Sequence, residues 1–335
     1  MSSLEGHNAI IVSENGEPRL SLSYELHFIG DWGQANFHRI CSWLTQQFCD
    51  RAGPESRTAI WSIRHGGIEA VTKLSNGEVD LAVATPAGLM QSALEGKHVF
   101  KKAMPHLRAL AVLPQNDRMV LALDPKYNIK TMADLRVQKP PIRLATSTND
   151  GTNFIGYVAD KFLEAHGISQ DEIESWGGKL LRAHRPEQCT ALVERGEADA
   201  LLQEAIMTSW WSELVEGNKL SPLPAEPKAL EILYESINLG DNPLPSGFWA
   251  NLSQDLPALN FSDFVILVRD DMSAEVAYML TWCLVETRDL IERTYKHMPP
   301  SRSPLTYPLE PAKMLKTPVP LHVGARRYYV QANLL

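Results

Sequence analysis

Leu74-Ser75-Asn76-Gly77-Glu78-Val79-Asp80-Leu81-Ala82-Val83-Ala84-Thr85 decides how the rest of the chain is read, because it returns as Val193-Glu194-Arg195-Gly196-Glu197-Ala198-Asp199-Ala200-Leu201-Leu202-Gln203-Glu204. Each copy reads as a helix end, a glycine stop, an acidic turn and a short apolar strand. The glycine suits the left-handed residue that closes a helix. The apolar run after each Asp suits a strand buried on both faces of a parallel sheet. Five residues past Asp80 stands Thr85, and five past Asp199 stands Glu204. Two lobes built alike would each present a polar residue at the carboxyl end of an equivalent strand. Ligands of open α/β sheets sit at that edge.

The 335 residues suffice for two domains, and 44% apolar with 21% charged residues is the balance of a globular protein. The net charge of −8 argues against nucleic acid as a partner and offers no basic patch to a membrane. Four cysteines, Cys41, Cys49, Cys189 and Cys283, form no metal or redox pattern. Met1 to Leu20 lacks a basic start followed by an apolar core, and no apolar run reaches about 18 residues. A cytoplasmic protein without membrane insertion is expected.

Outward from the two copies, strands alternate with helices. Strands are expected at 24–29, 58–63, 107–113, 118–124, 142–146 and 264–269, with the third and fourth paired as neighbours. Helices are expected at 35–48, 68–75, 153–166, 184–194 and 274–295, and a short one at 325–329. The expected division is residues 1–123 for the first lobe, 124–238 for the second, and 239–335 for the return to the first, by way of a proline-bearing loop at 240–247. The fold class is α/β with two lobes and a cleft between them.

These residues resemble the type II periplasmic-binding-protein fold, and more narrowly the TAXI-type solute receptors of TRAP transporters. The most specific stretch is Val319-Pro320-Leu321-His322-Val323-Gly324-Ala325-Arg326-Arg327-Tyr328-Tyr329, similar to the closing motif of those receptors. The resemblance implies a small carboxylate held between two lobes that close like a hinge. The chain departs from the pattern at Asp31 and Trp32, at Arg64 and His65 before Gly66-Gly67, at Asn149-Asp150-Gly151-Thr152, and at Glu204. Neutral ligand groups are there replaced by side chains that titrate.

Helix starts after Gly33, Gly66-Gly67, Thr85 and Gly151-Thr152 offer free N–H groups and a partial positive charge to an anion. Arg64 suits a carboxylate, and His65 titrates near neutrality. Asp31, Asp150 and Glu204 would become proton donors if buried, although Asp31 and Asp150 equally suit helix caps. The expected catalytic set is therefore His65, Glu204, Asp31 and Asp150. The expected ligand contacts are Trp32, Gly33, Arg64, Gly66, Gly67, Thr85, Ser147, Asn149, Gly151, Thr152, Asn153 and Phe248. No metal cluster, phosphate loop, dinucleotide fingerprint or Ser-His-Asp set is present, so no metal or cofactor is expected. The expected function is an intracellular cofactor-independent lyase, of the decarboxylase or dehydratase type, acting on a small carboxylic acid held between the closing lobes; the alternative is a carboxylate receptor of a TRAP-type transporter without chemistry.

Overall fold

The computed structural model describes residues 10–12, 16–30, 35–63 and 66–335. A short antiparallel pair, β1 (Ile10–Val12) and β2 (Pro18–Leu20), precedes the main body. The first lobe then alternates β3 (Glu25–Gly30), α1 (Ala35–Cys49), β4 (Arg57–Ser62), α2 (Ile68–Ser75), β5 (Leu81–Ala84), α3 (Met90–Glu95) and β6 (Leu107–Leu113). The second sheet opens with β7 (Arg118–Leu123), then α4 (Met132–Gln138), β8 (Arg143–Ser147), α5 (Phe154–Ala165) and α6 (Gln170–Ser175). It continues with β9 (Lys179–Ala183), α7 (Pro186–Glu194), β10 (Ala200–Gln203), α8 (Ser209–Glu216), β11 (Ser221–Leu223), α9 (Pro227–Ile237) and β12 (Leu259–Asn260). The chain ends with β13 (Phe264–Arg269), α10 (Ala274–Glu286), α11 (Arg288–Arg293), α12 (Pro311–Met314) and α13 (Val323–Gln331).

The two sheets have one plan. The first runs β4-β3-β5-β13-β6 and the second β9-β8-β10-β7-β11, with β12 added beside β7. In the first, β3 lies parallel to β4 and β5, while β13 runs antiparallel to β5 and β6. In the second, β8 lies parallel to β9 and β10, while β7 runs antiparallel to β10 and β11. In each sheet the antiparallel strand is the first one after a crossing, β7 in the second and β13 in the first. The repeated stretch supplies β5 and β10, the central strands, and every residue of both is buried.

Four expectations are corrected. Strands β6 and β7 do not pair with each other; they belong to different sheets, and the chain crosses between them at 114–117. Because β7 is already in the second sheet and β12 still pairs with it, the crossings fall at 114–117 and 261–263, not at the expected 123/124 and 238/239 borders. The 240–247 loop stays with the second lobe, where Leu244 bridges Leu256 and Phe248 and Trp249 are buried. Finally, the helix expected over 274–295 breaks at Thr287, whose hydroxyl donates to the Cys283 carbonyl at 2.7 Å and accepts from Trp43 Nε1 at 3.2 Å.

The closing motif is a clamp. His322 Nδ1 accepts the Gly324 N–H at 3.1 Å and so caps α13. A Cβ on Gly324 would stand 2.1 Å from the Ala274 carbonyl oxygen, so α13 crosses α10 backbone to backbone. Tyr329 donates its hydroxyl proton to the Leu110 carbonyl, and on β6 the Ala109 N–H donates to the Pro320 carbonyl while the Ala109 carbonyl accepts the His322 N–H. Among the described residues no helix is long and apolar enough to cross a membrane.

A candidate ligand cavity between the lobes

The acidic turns set the geometry. Asp80 accepts the His27 N–H on its carboxylate at 2.7 Å and donates its own N–H to the His27 carbonyl at 2.8 Å. Asp199 accepts the Arg143 N–H at 3.3 Å and donates to the Arg143 carbonyl at 2.8 Å. One residue later the strands enter register, Leu81 opposite Phe28 and Ala200 opposite Leu144. The same clasp therefore delivers Thr85 and Glu204 to matching places, and both line one cavity of about 150 Å³.

Both lobes contribute to the walls. Asn36 and Phe37 come from the start of α1, and Phe154 and Ile155 from the start of α5. Pro186 and Glu187 begin α7, and Thr208 and Trp210 begin α8. Phe261, Phe264 and Pro304 complete an aromatic and apolar surround. Such a lining, with a few polar groups among aromatic rings, is the usual make-up of a small-molecule site.

The crossing segment supplies Gln115 and Asp117. Asp117 is fully buried, and its carboxylate accepts the backbone N–H groups of Arg118, Ala205 and Ile206 and Nε2 of Gln115, at 2.8 to 3.3 Å. Its carboxyl also hydrogen-bonds the Glu204 side chain. Burial pushes the Asp117 pKa up, with those hydrogen bonds acting against the rise. Phe261 N–H to the Asp117 carbonyl and Gln115 N–H to the Asp263 carboxylate tie the two crossings together.

The expected site residues scatter around this cavity. Thr85 lines it while its hydroxyl donates to the Asp263 carbonyl at 3.0 Å, and Glu204 lines it as a buried acid. Ser147 lies deeper, accepting from Gln203 Nε2 at 2.7 Å, and Asn153 is the cap of α5, accepting from Ile155 N–H at 2.8 Å. Gly66 and Gly67 are buried; a Cβ on Gly66 would stand 2.7 Å from Asn153 Cα, which makes this turn a lobe-to-lobe contact. Asn149, Asp150 and Gly151 are exposed, and Thr152 is half-buried. Asn149 donates to Asp160, and Asp150 accepts from the backbone and hydroxyl of Thr152. Burial pushes the Asp150 carboxyl up, the Thr152 bonds pull it down further, and it ends below the ordinary range. Asn153, not Asp150, caps the helix. Phe248 packs edge-on against Trp249 inside the second lobe, not on the cavity. Asp31, Trp32, Gly33, Arg64 and His65 lie outside the described residues.

A family model described as the NMT1-like family matches residues 52–332. The chain belongs to the NMT1-like family. No curated protein matches it. Among solved structures, PhnD1 from Prochlorococcus marinus in complex with methylphosphonate is similar at 12% identity, over 93% of this chain and 99% of that one, with a TM-score of 0.51. MatC from Rhodopseudomonas palustris with bound malate is similar at 10% identity, over 92% and 97%, with a TM-score of 0.50. A structure described as a periplasmic transporter is similar at 11% identity, over 92% and 94%, with a TM-score of 0.49. The likenesses to PhnD1 and MatC show the fold of this NMT1-like chain, a two-lobed periplasmic-binding-protein fold. The expectation of a cytoplasmic protein is corrected: the NMT1-like family points to the periplasm.

Proposed function

We propose that this chain is a solute receptor that encloses one small organic molecule between its lobes. The supporting observation is the shared cavity at the carboxyl ends of β5 and β10, walled by the first turns of four helices from both lobes. A site made from both halves is complete only when the halves are together, so ligand and closure favour each other. The structural relatives with bound malate and methylphosphonate are in keeping with a small guest. The finer form of the reading is a TAXI-type receptor serving a TRAP transporter, supported by the closing motif of α13.

The lyase reading has less support. Asp150 is exposed and engaged with Thr152, away from the cavity lining. Mass spectrometry of compounds released on denaturing the purified protein tests the receptor reading. A single compound near one equivalent is expected, and it is lost when Met207, which also lines the cavity, is enlarged in the cavity-filling variant Met207→Trp while that variant stays folded. The same compound retained by Met207→Trp would place binding elsewhere.

A further inference from the structure

Among the described residues, five aromatic side chains line the cavity, and one of them faces solvent. Phe154, Phe261 and Phe264 are each 1% exposed and Phe37 is 7% exposed, whereas Trp210 is 36% exposed. A ring that touches both the cavity and bulk water stands at the boundary between them. The start of α8 holds it there. Trp211 turns inward, and its Nε1 donates to the Glu204 carbonyl at 2.8 Å. The N–H and hydroxyl of Thr208 both donate to the Ala205 carbonyl, at 3.0 and 2.8 Å. Ser212 Oγ accepts Arg302 Nη2 from the first lobe at 2.9 Å, and Pro304, two residues on from Arg302, lines the same cavity.

We infer that Trp210 sets the size and shape of the guest: the ligand presents one flat ring or its equivalent, and its face packs on the Trp210 indole, which covers it from solvent. A cavity of about 150 Å³ with apolar walls accepts a benzene-sized ring. A second fused ring would overlap the indole, because the other four aromatic walls are locked in the cores of the two sheets and cannot yield. Stacking takes the inner face of the indole out of water and adds a ring contact. The inference rests on the cavity being the ligand site, and it adds which guests that site admits.

Benzyl alcohol and naphthylmethanol share a polar group and differ by one fused ring. Ligand-observed NMR titration of the full chain gives the affinity of each. Wild type should prefer the one-ring probe by at least about tenfold, the penalty for overfilling a packed site. Trp210→Ala removes two fused rings from the wall and should lose that preference. The side chain is more than a third exposed, so this variant is expected to fold. Fluorescence supplies a second readout. Benzyl alcohol should move the tryptophan emission of wild type to shorter wavelength as the indole leaves water, and Trp210→Phe should bind the probe without that shift. An unchanged preference in Trp210→Ala, an equal emission shift in Trp210→Phe, or binding of neither probe would overturn the role given to Trp210. If both probes bind Met207→Trp as they bind wild type, it is the cavity reading that fails.

Discussion

Asp80 and Asp199 make the same two backbone bonds in different lobes, one to His27 and one to Arg143. The difference is in the side-chain company. Asp199 is 5% exposed and takes Nε and Nη2 of Arg143 at 2.7 and 2.8 Å and Nζ of Lys126 at 2.6 Å.

Arg143 first, and then Lys126, hold the Asp199 carboxyl well below the usual carboxylate range, against the effect of burial. A depressed folded pKa contributes stability above the unfolded value, and that stability fades as pH falls toward the folded one. Asp199→Asn should therefore cost about 2 kcal/mol at pH 7 and progressively less below about pH 4. Urea unfolding across pH checks this.

Asp117 has the opposite sign. Burial raises its folded pKa, so its contribution is most favourable in acid and declines as pH rises from about 4 through the folded value. Asp117→Asn should flatten that decline. Because the amide keeps one acceptor for three backbone N–H groups, it should also lower the melting temperature at pH 5. A melting-temperature profile of the two proteins, measured side by side, reads both effects.

Much of this was legible where the controlling interactions are short in sequence. The Gly77–Asp80 and Gly196–Asp199 turns announce their strands, and α2 falls on 68–75 as the apolar spacing predicts. The cavity was legible at Thr85 and Glu204 because the repeat places both by counting. Gln115 and Asp117 were hidden. Four residues between two apolar strands read as a hairpin, since neighbouring strands usually pair. Only the long-range bonds from Asp117 to Ala205 and Ile206 reveal a crossing. Phe248 was misplaced for a related reason: its loop folds back under Trp249, which stacks on Trp211 of α8 at 5.7 Å.

Gly66 faces Asn153 across the lobes, and an added Cβ would meet Asn153 Cα at 2.7 Å and Asn153 Cγ at 2.9 Å. Gly66→Ala must push backbone from backbone, so this seam should part. The expected results are a larger radius of gyration in small-angle scattering and a loss of about 1–3 kcal/mol of stability. An unchanged radius with unchanged stability would show that the seam is not tight.

Arg302 fastens a C-terminal strap of the first lobe onto the second. Its Nη2 donates to Ser212 Oγ at 2.9 Å, and its guanidinium lies 4.5 Å from the Phe248 ring centre. The strap is anchored at its other side by Thr306 N–H on the Pro114 carbonyl and by buried Leu305. Arg302→Ala should loosen it by about 1 kcal/mol. Amide exchange at Ser303 and Leu305 should then quicken about fivefold.

The central claim is that the ends of two equivalent strands meet over one guest. A crystal structure of the protein purified with its native compound tests it most directly. The account predicts density inside the cavity, in contact with Thr85, Glu204 and Gln115 together. A compound bound at another surface, with this cavity filled only by water, would contradict it.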